Sequence, residues 1–118
     1  MSQYKHVFLK SKLDIDEFVT SIKQIDGVRE VRKSDAQIDV WLQNEGLTIQ
    51  LENLDEDDFF EEDEAFLNRL KGQGLIFPFE ELHFRFYHSD ALAQLVERIV
   101  ECVAKQVDFV ELKMGVFE

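Results

Sequence analysis

Apolar side chains recur along this chain with two periods, one typical of strands and one typical of helices. Six segments carry the alternation, or the β-branched and aromatic residues, that predict strands. They are residues 4–10, 28–33, 37–43, 47–51, 82–88 and 109–114. The clearest pair is the hairpin of residues 37–43 and 47–51, because its three-residue loop ends in Gly46, where a left-handed residue is expected.

Three further segments have the helical period. The first begins after Asp14, a predicted N-cap, and ends before Gly27, a predicted C-cap. The third begins after Ser89 and has a wide apolar stripe, typical of a helix packed on a sheet. The stripe consists of Leu92, Leu95, Val96, Ile99, Val100, Val103 and Val107. The second helix is predicted over residues 57–71, with one broad face formed by Phe59, Phe60, Phe66, Leu67 and Leu70.

The resulting element order, β-α-β-β-β-α-β-α-β, predicts an α+β fold in one domain that spans residues 1–118. Right-handed crossovers would place the first and last helices on the same side of the sheet. We therefore expect a two-layer α/β sandwich, a mixed sheet with helices on one face, ferredoxin-like or related. The second helix is expected to be an acidic helical insertion at about residues 53–72.

The formal net charge of −12 changes this picture most. Residues 52–64 contain nine carboxylates and no basic side chain, whereas the rest of the chain has 13 basic and 16 acidic residues, a net charge of −3. The acidity is therefore mainly a local feature. Nucleic acid and anionic membranes are excluded as principal partners, because both need clustered Lys or Arg.

Cofactor and metal motifs are not found, so no cofactor and no metal are predicted. An EF-hand is excluded because Phe59 and Phe66 stand where oxygen ligands belong. The three histidines have no ligand spacing on a helix, and Cys102 is expected to be a buried small hydrophobe. One cysteine, no signal peptide and no apolar run long enough to cross a bilayer predict a cytoplasmic protein.

The first functional hypothesis is a non-enzymatic protein-binding module that uses its acidic surface against a basic partner. The residues assigned to that surface are Asp55, Glu56, Asp57, Asp58, Phe59, Glu61, Glu62, Asp63 and Glu64. In size and charge the chain is similar to small acidic inhibitors such as bacterial immunity proteins against nuclease toxins. That similarity implies carboxylates that stand in for nucleic-acid phosphates and block the toxin's binding site.

Two other classes of function stay open. The second hypothesis is a small-molecule-binding or catalytic α/β domain that uses the outward sheet face. Its candidate residues are Trp41, His83, Arg85 and Tyr87. The third hypothesis is a structural subunit of a homo-oligomer, such as a homodimer, that packs through the acidic helix or the last helix. No residue combination names a reaction, so the chain is not predicted to be an enzyme.

Overall fold

The computed structural model describes residues 2–59 and 63–117, with side chains as far as Glu111. Its elements follow the predicted order. They are β1 (Ser2–Leu9), α1 (Ile15–Lys23), β2 (Glu30–Lys33), β3 (Gln37–Trp41), β4 (Gly46–Leu54), α2 (Glu64–Gly72), β5 (Phe79–Tyr87), α3 (Asp90–Ala104) and β6 (Phe109–Phe117). The fold is α+β, and no helix within the described ranges is long and apolar enough to cross a membrane.

The six strands form one sheet in the order β2-β3-β4-β5-β1-β6, and each neighbouring pair is antiparallel. The expectation of a mixed sheet is therefore wrong. The strands joined by α1 (β1 and β2) and by α3 (β5 and β6) do run parallel to each other, but other strands lie between them. The β-α-β pattern predicted these parallel directions and could not show that β1 would insert between β5 and β6.

The inner face of the sheet carries the main hydrophobic core. Alternate residues of the central strands point to this face, and α1 and α3 cover it with Phe18, Ile22 and the predicted stripe of α3. The predicted burial of that stripe is confirmed: Ile99 is fully buried, and Val107 continues the stripe just beyond the helix. Burying such side chains stabilises the fold by about 1.5–3 kcal/mol each.

The outer face carries a second, smaller apolar cluster at one end of the sheet. Phe8 lies between Val7 and Leu9 in β1 and therefore points away from the main core. It packs with Phe79 and with Leu70 of α2. The expectation that all helices lie on one face is therefore wrong for α2, which covers this smaller cluster on the outer face.

The helix of the acidic insertion is shorter than predicted. Residues Glu56–Asp58 form a single 3-10 turn, Phe59 is extended, and α2 begins only at Glu64. The turn is favoured over a longer helix because aspartate side chains bond to its backbone N–H groups instead. Phe60, which was assigned to the helix's apolar face, lies outside the described residues.

The predicted N-caps are confirmed, whereas two glycine assignments are corrected. Asp14 and Ser89 accept hydrogen bonds from main-chain N–H groups in the first turns of α1 and α3, each at 3.1 Å. Gly27 is left-handed but lies beyond the helix end at Lys23. Gly46 is not left-handed; glycine is needed there because a Cβ would lie 2.6 Å from the Trp41 ring.

Candidate functional site

The acidic segment, residues 55–64, connects β4 to α2 at one end of the sheet. Its first four residues, Asp55 to Asp58, are exposed, as is Glu64. Asp63 is half-buried and has partners within the protein. Glu61 and Glu62, which were also assigned to the binding surface, lie outside the described residues.

Side-chain hydrogen bonds hold the start of this segment in a defined shape. A carboxylate oxygen of Asp55 accepts from the Glu56 main-chain N–H at 2.7 Å. A carboxylate oxygen of Asp58 accepts from the Asp55 main-chain N–H at the same distance. Glu56 also forms an ion pair with Lys71 of α2. Two of these contacts fix the shape of the turn internally, and the Glu56–Lys71 ion pair attaches the turn to α2.

A cluster of aromatic side chains packs against the acidic segment on its protein-facing side. Phe59 is half-buried, with its ring centroid 6.2 Å from that of Phe66 and 5.9 Å from that of Phe77. Phe59 therefore packs mainly inward, within the protein. The prominent apolar side chain beside the carboxylates is Ile76, which is 80% exposed. Ile76 lines a shallow groove of about 400 Å³ together with Asp55 and Glu56.

The second candidate surface, Trp41, His83, Arg85 and Tyr87, lies on the outer face of the sheet. Strand register places all four side chains on that face, as expected from the alternation. Trp41 and Tyr87 are exposed, and the Arg85 guanidinium lies 5.9 Å from the centre of the Tyr4 ring. His83 and Tyr87 are four residues apart on one strand, about 13 Å. The four residues therefore form a spread surface and do not converge on one point.

A tighter group forms around His83, and it includes two residues that the sequence analysis did not assign. The register of β1 and β5 places His6 directly opposite His83, and their rings stack with centroids 4.3 Å apart. Glu81 precedes His83 by two residues and therefore shares its face, where a carboxylate oxygen contacts His6 Nδ1. One donor atom from each of the three side chains lies within 4.8 Å of the other two.

The electrostatics of this His–Glu–His group, meaning His6, Glu81 and His83, are unusual for a sheet surface. Glu81 is only 4% exposed, so its carboxylate depends on neighbours to replace water. Burial lowers the pKa of His83, and the nearby His6 and Arg85 lower it further against the opposing effect of Glu81. His83 is therefore held neutral near pH 7, with a ring nitrogen lone pair available.

The only sequence signal for this group is the spacing Glu81-x-His83, which places both side chains on one face of a strand. His6 lies 75 residues before Glu81, and its contribution depends on which strands pair. The group was not predicted, because the pairing of β1 with β5 that brings His6 to His83 cannot be read from local spacing. His83 and His88 are five residues apart and point to different sides of the sheet, and His88 bonds to Gln3.

Cys102 offers no reactive thiol. It is buried in the main core on α3, and burial raises its pKa. A buried thiol with a raised pKa is a poor nucleophile, because the thiolate is the reactive form. The prediction of a small buried hydrophobe at this position is confirmed.

Comparisons with known proteins do not identify the chain. No protein-family model, no curated protein and no solved structure matches it.

Proposed function

We propose that this protein is a non-enzymatic binding module whose acidic segment docks onto a basic protein. The observation that supports this most is the ordered acidic turn at Asp55–Asp58, with an exposed apolar side chain, Ile76, beside it. Flexible acidic tails need no such framework, whereas a docking surface gains from being preorganised.

The two parts of this surface have different physical roles. Clustered carboxylates attract a basic partner over several ångströms and raise its association rate. Ile76 and the adjacent groove offer apolar area that a partner can bury after the encounter. Charge alone would give a fast but weak complex, so the apolar contact supplies part of the specificity.

The class of partner follows from the charge pattern. A protein that binds nucleic acid has a basic surface shaped to receive phosphates. Closely spaced carboxylates can occupy such a surface and exclude the nucleic acid. We therefore propose an inhibitory role of the immunity-protein kind, directed against a basic partner such as a nuclease toxin. A reducing compartment such as the cytoplasm would suit the single buried cysteine, Cys102.

A homodimer through the same surface is less favourable. A two-fold contact would bring the acidic segment of one copy against that of the other, and their like charges would repel. The small-molecule hypothesis is favoured by a different observation, the His–Glu–His group on the outer sheet face, in which Glu81 is buried and both histidines are half-buried.

A comparison of two charge variants tests the proposal. The acidic-segment variant converts four carboxylates to amides, which keeps their shape and leaves the cap residues Asp55 and Asp58 intact. Its substitutions are Asp57→Asn, Glu61→Gln, Glu62→Gln and Glu64→Gln. The charge-matched control removes four exposed carboxylates elsewhere on the chain. Its substitutions are Asp26→Asn, Glu97→Gln, Glu101→Gln and Asp108→Asn.

Each chain is immobilised and exposed at low salt to lysate of the source organism, and bound proteins are eluted by salt and identified by mass. We expect one basic protein that the wild type and the control retain and the acidic-segment variant loses. Equal capture of every basic protein by all three chains would contradict the proposal, because it would show only nonspecific attraction to net charge. Absence of any such protein would contradict it as well.

A further inference from the structure

We propose that His6, Glu81 and His83 form a binding site for a divalent transition-metal ion, with zinc as the best-matched ion. This inference is independent of the acidic segment and of the proposed partner. It rests on the meeting of three donor groups from two adjacent strands, β1 and β5.

The geometry of the three side chains suits a shared ion. Their donor atoms lie within 4.8 Å of one another on one face of the sheet. Tetrahedral zinc, bound at about 2.0–2.1 Å by nitrogen or oxygen, sets its ligands about 3.4 Å apart. Small rotations of side chains on a rigid pair of strands reach that spacing. The backbone needs no rearrangement, because the cross-strand pairing of His6 with His83 already fixes both rings.

A structural pair between His6 and Glu81 would not account for the whole group. The Nε2 atom of His83 is buried and has no hydrogen-bond partner among the residues that the structure describes. A buried polar atom without a partner costs about 1–3 kcal/mol. A metal ion shared by the three side chains would satisfy this nitrogen and neutralise the buried Glu81 carboxylate at the same time.

The donor types decide the class of ion. Two imidazoles and one carboxylate form a donor set found in zinc and non-haem iron sites, whereas calcium and magnesium prefer oxygen ligands alone. Three protein donors leave at least one coordination position of a tetrahedral ion free. The aromatic rings of Tyr4 and Phe8 flank the two histidines, with centroid distances of 5.3 Å to His83 and 6.2 Å to His6. The site is therefore partly sheltered from water.

Titration of the wild-type chain with zinc, followed by NMR of its histidine rings, tests the inference directly. We expect the ring signals of His6 and His83 to shift with one zinc per chain, while those of His88 stay in place. Cobalt, used as a visible probe, should give the absorption bands of a nitrogen-bound ion. Zinc-dependent shifts that spare both His6 and His83 would overturn the proposal, and so would a titration without saturable shifts.

Matched variants separate this site from weak binding to exposed carboxylates. Glu81→Gln and His83→Asn should each weaken zinc binding by at least about 10-fold. The control variants remove the same chemical groups at other positions: Glu80→Gln one residue before Glu81, and His88→Asn outside the group. Both should leave the zinc affinity unchanged. Equal losses in ligand and control variants, or no loss in either, would overturn the proposal. Circular dichroism checks that each variant is folded. If a variant does not fold, the NMR titration of the wild-type chain is the test of the site.

Discussion

The two faces of the sheet differ in what covers them and in the residues they carry. The inner face is apolar along its central strands and is covered by α1 and α3. The outer face has a buried apolar cluster at the end where Phe8 and Phe79 meet α2, and the large side chains Trp41 and Tyr87 on the same face are exposed. Elsewhere it presents Arg85 and the His–Glu–His group. Most of the fold's stability therefore comes from one face, and the other can carry groups that packing alone does not require.

The buried Glu81 carboxylate and the two histidines beside it are not explained by packing. A buried carboxylate such as Glu81 lowers the stability of a fold unless it is fully paired. An apolar residue at that position would extend the cluster that Phe8 and Phe79 begin. The presence of two stacked histidines beside this carboxylate is therefore the strongest indication that the outer face has a chemical role.

The largest expected effect is on the inner face. Ile99→Asp should lower the free energy of unfolding by more than about 4 kcal/mol, because it buries an unpaired charge. The matched control is Ile76→Asp on the surface, which should change stability by less than about 0.5 kcal/mol. Urea denaturation measures both. A loss for Ile99→Asp no larger than that for Ile76→Asp would show that the inner face is not the main source of stability.

The outer cluster should respond more weakly and more locally. Leu70→Ala is expected to lower the free energy of unfolding by about 2–3 kcal/mol, at the low end for a buried leucine, because its cluster is small. Hydrogen exchange should show faster opening of α2 while α3 keeps its protection. A uniform loss of protection across both helices would mean that the two faces unfold as one unit.

A smaller effect is expected from His83. Its pKa is lowered in the folded chain, mainly by burial, whereas an unfolded histidine takes up a proton near pH 6.5. Below that pH the unfolded state binds more protons than the folded state, so stability should fall as the pH falls. His83→Gln should flatten this part of the stability curve, and His88→Gln should not. Identical curves for the wild type and His83→Gln would show that His83 is not held neutral.

The smallest effect on stability is expected from the acidic-segment variant. Its free energy of unfolding should stay within about 0.5 kcal/mol of the wild type, with any change toward greater stability at low salt, because like charges are removed. Thermal unfolding at two salt concentrations measures this. A clear loss of stability would mean that these carboxylates hold the fold together and are not free to bind a partner.

Sequence patterns predicted the inner face well and the outer face poorly, for a physical reason. The stripe on α3, the caps Asp14 and Ser89 and the central hairpin all depend on residues close together in the chain. The meeting of His6 with Glu81 depends on strand pairing across the sheet, which local periodicity does not encode. The start of α2 was missed because aspartate side chains compete with the helix for backbone N–H groups.

The most direct test of the acidic-surface account is the association rate of the captured basic partner, measured at rising ionic strength. For the wild type and the charge-matched control, we predict fast association that slows steeply as salt is added. The acidic-segment variant should associate more slowly and with little salt dependence. Equal rates and equal salt dependence for the wild type and the acidic-segment variant would contradict the account.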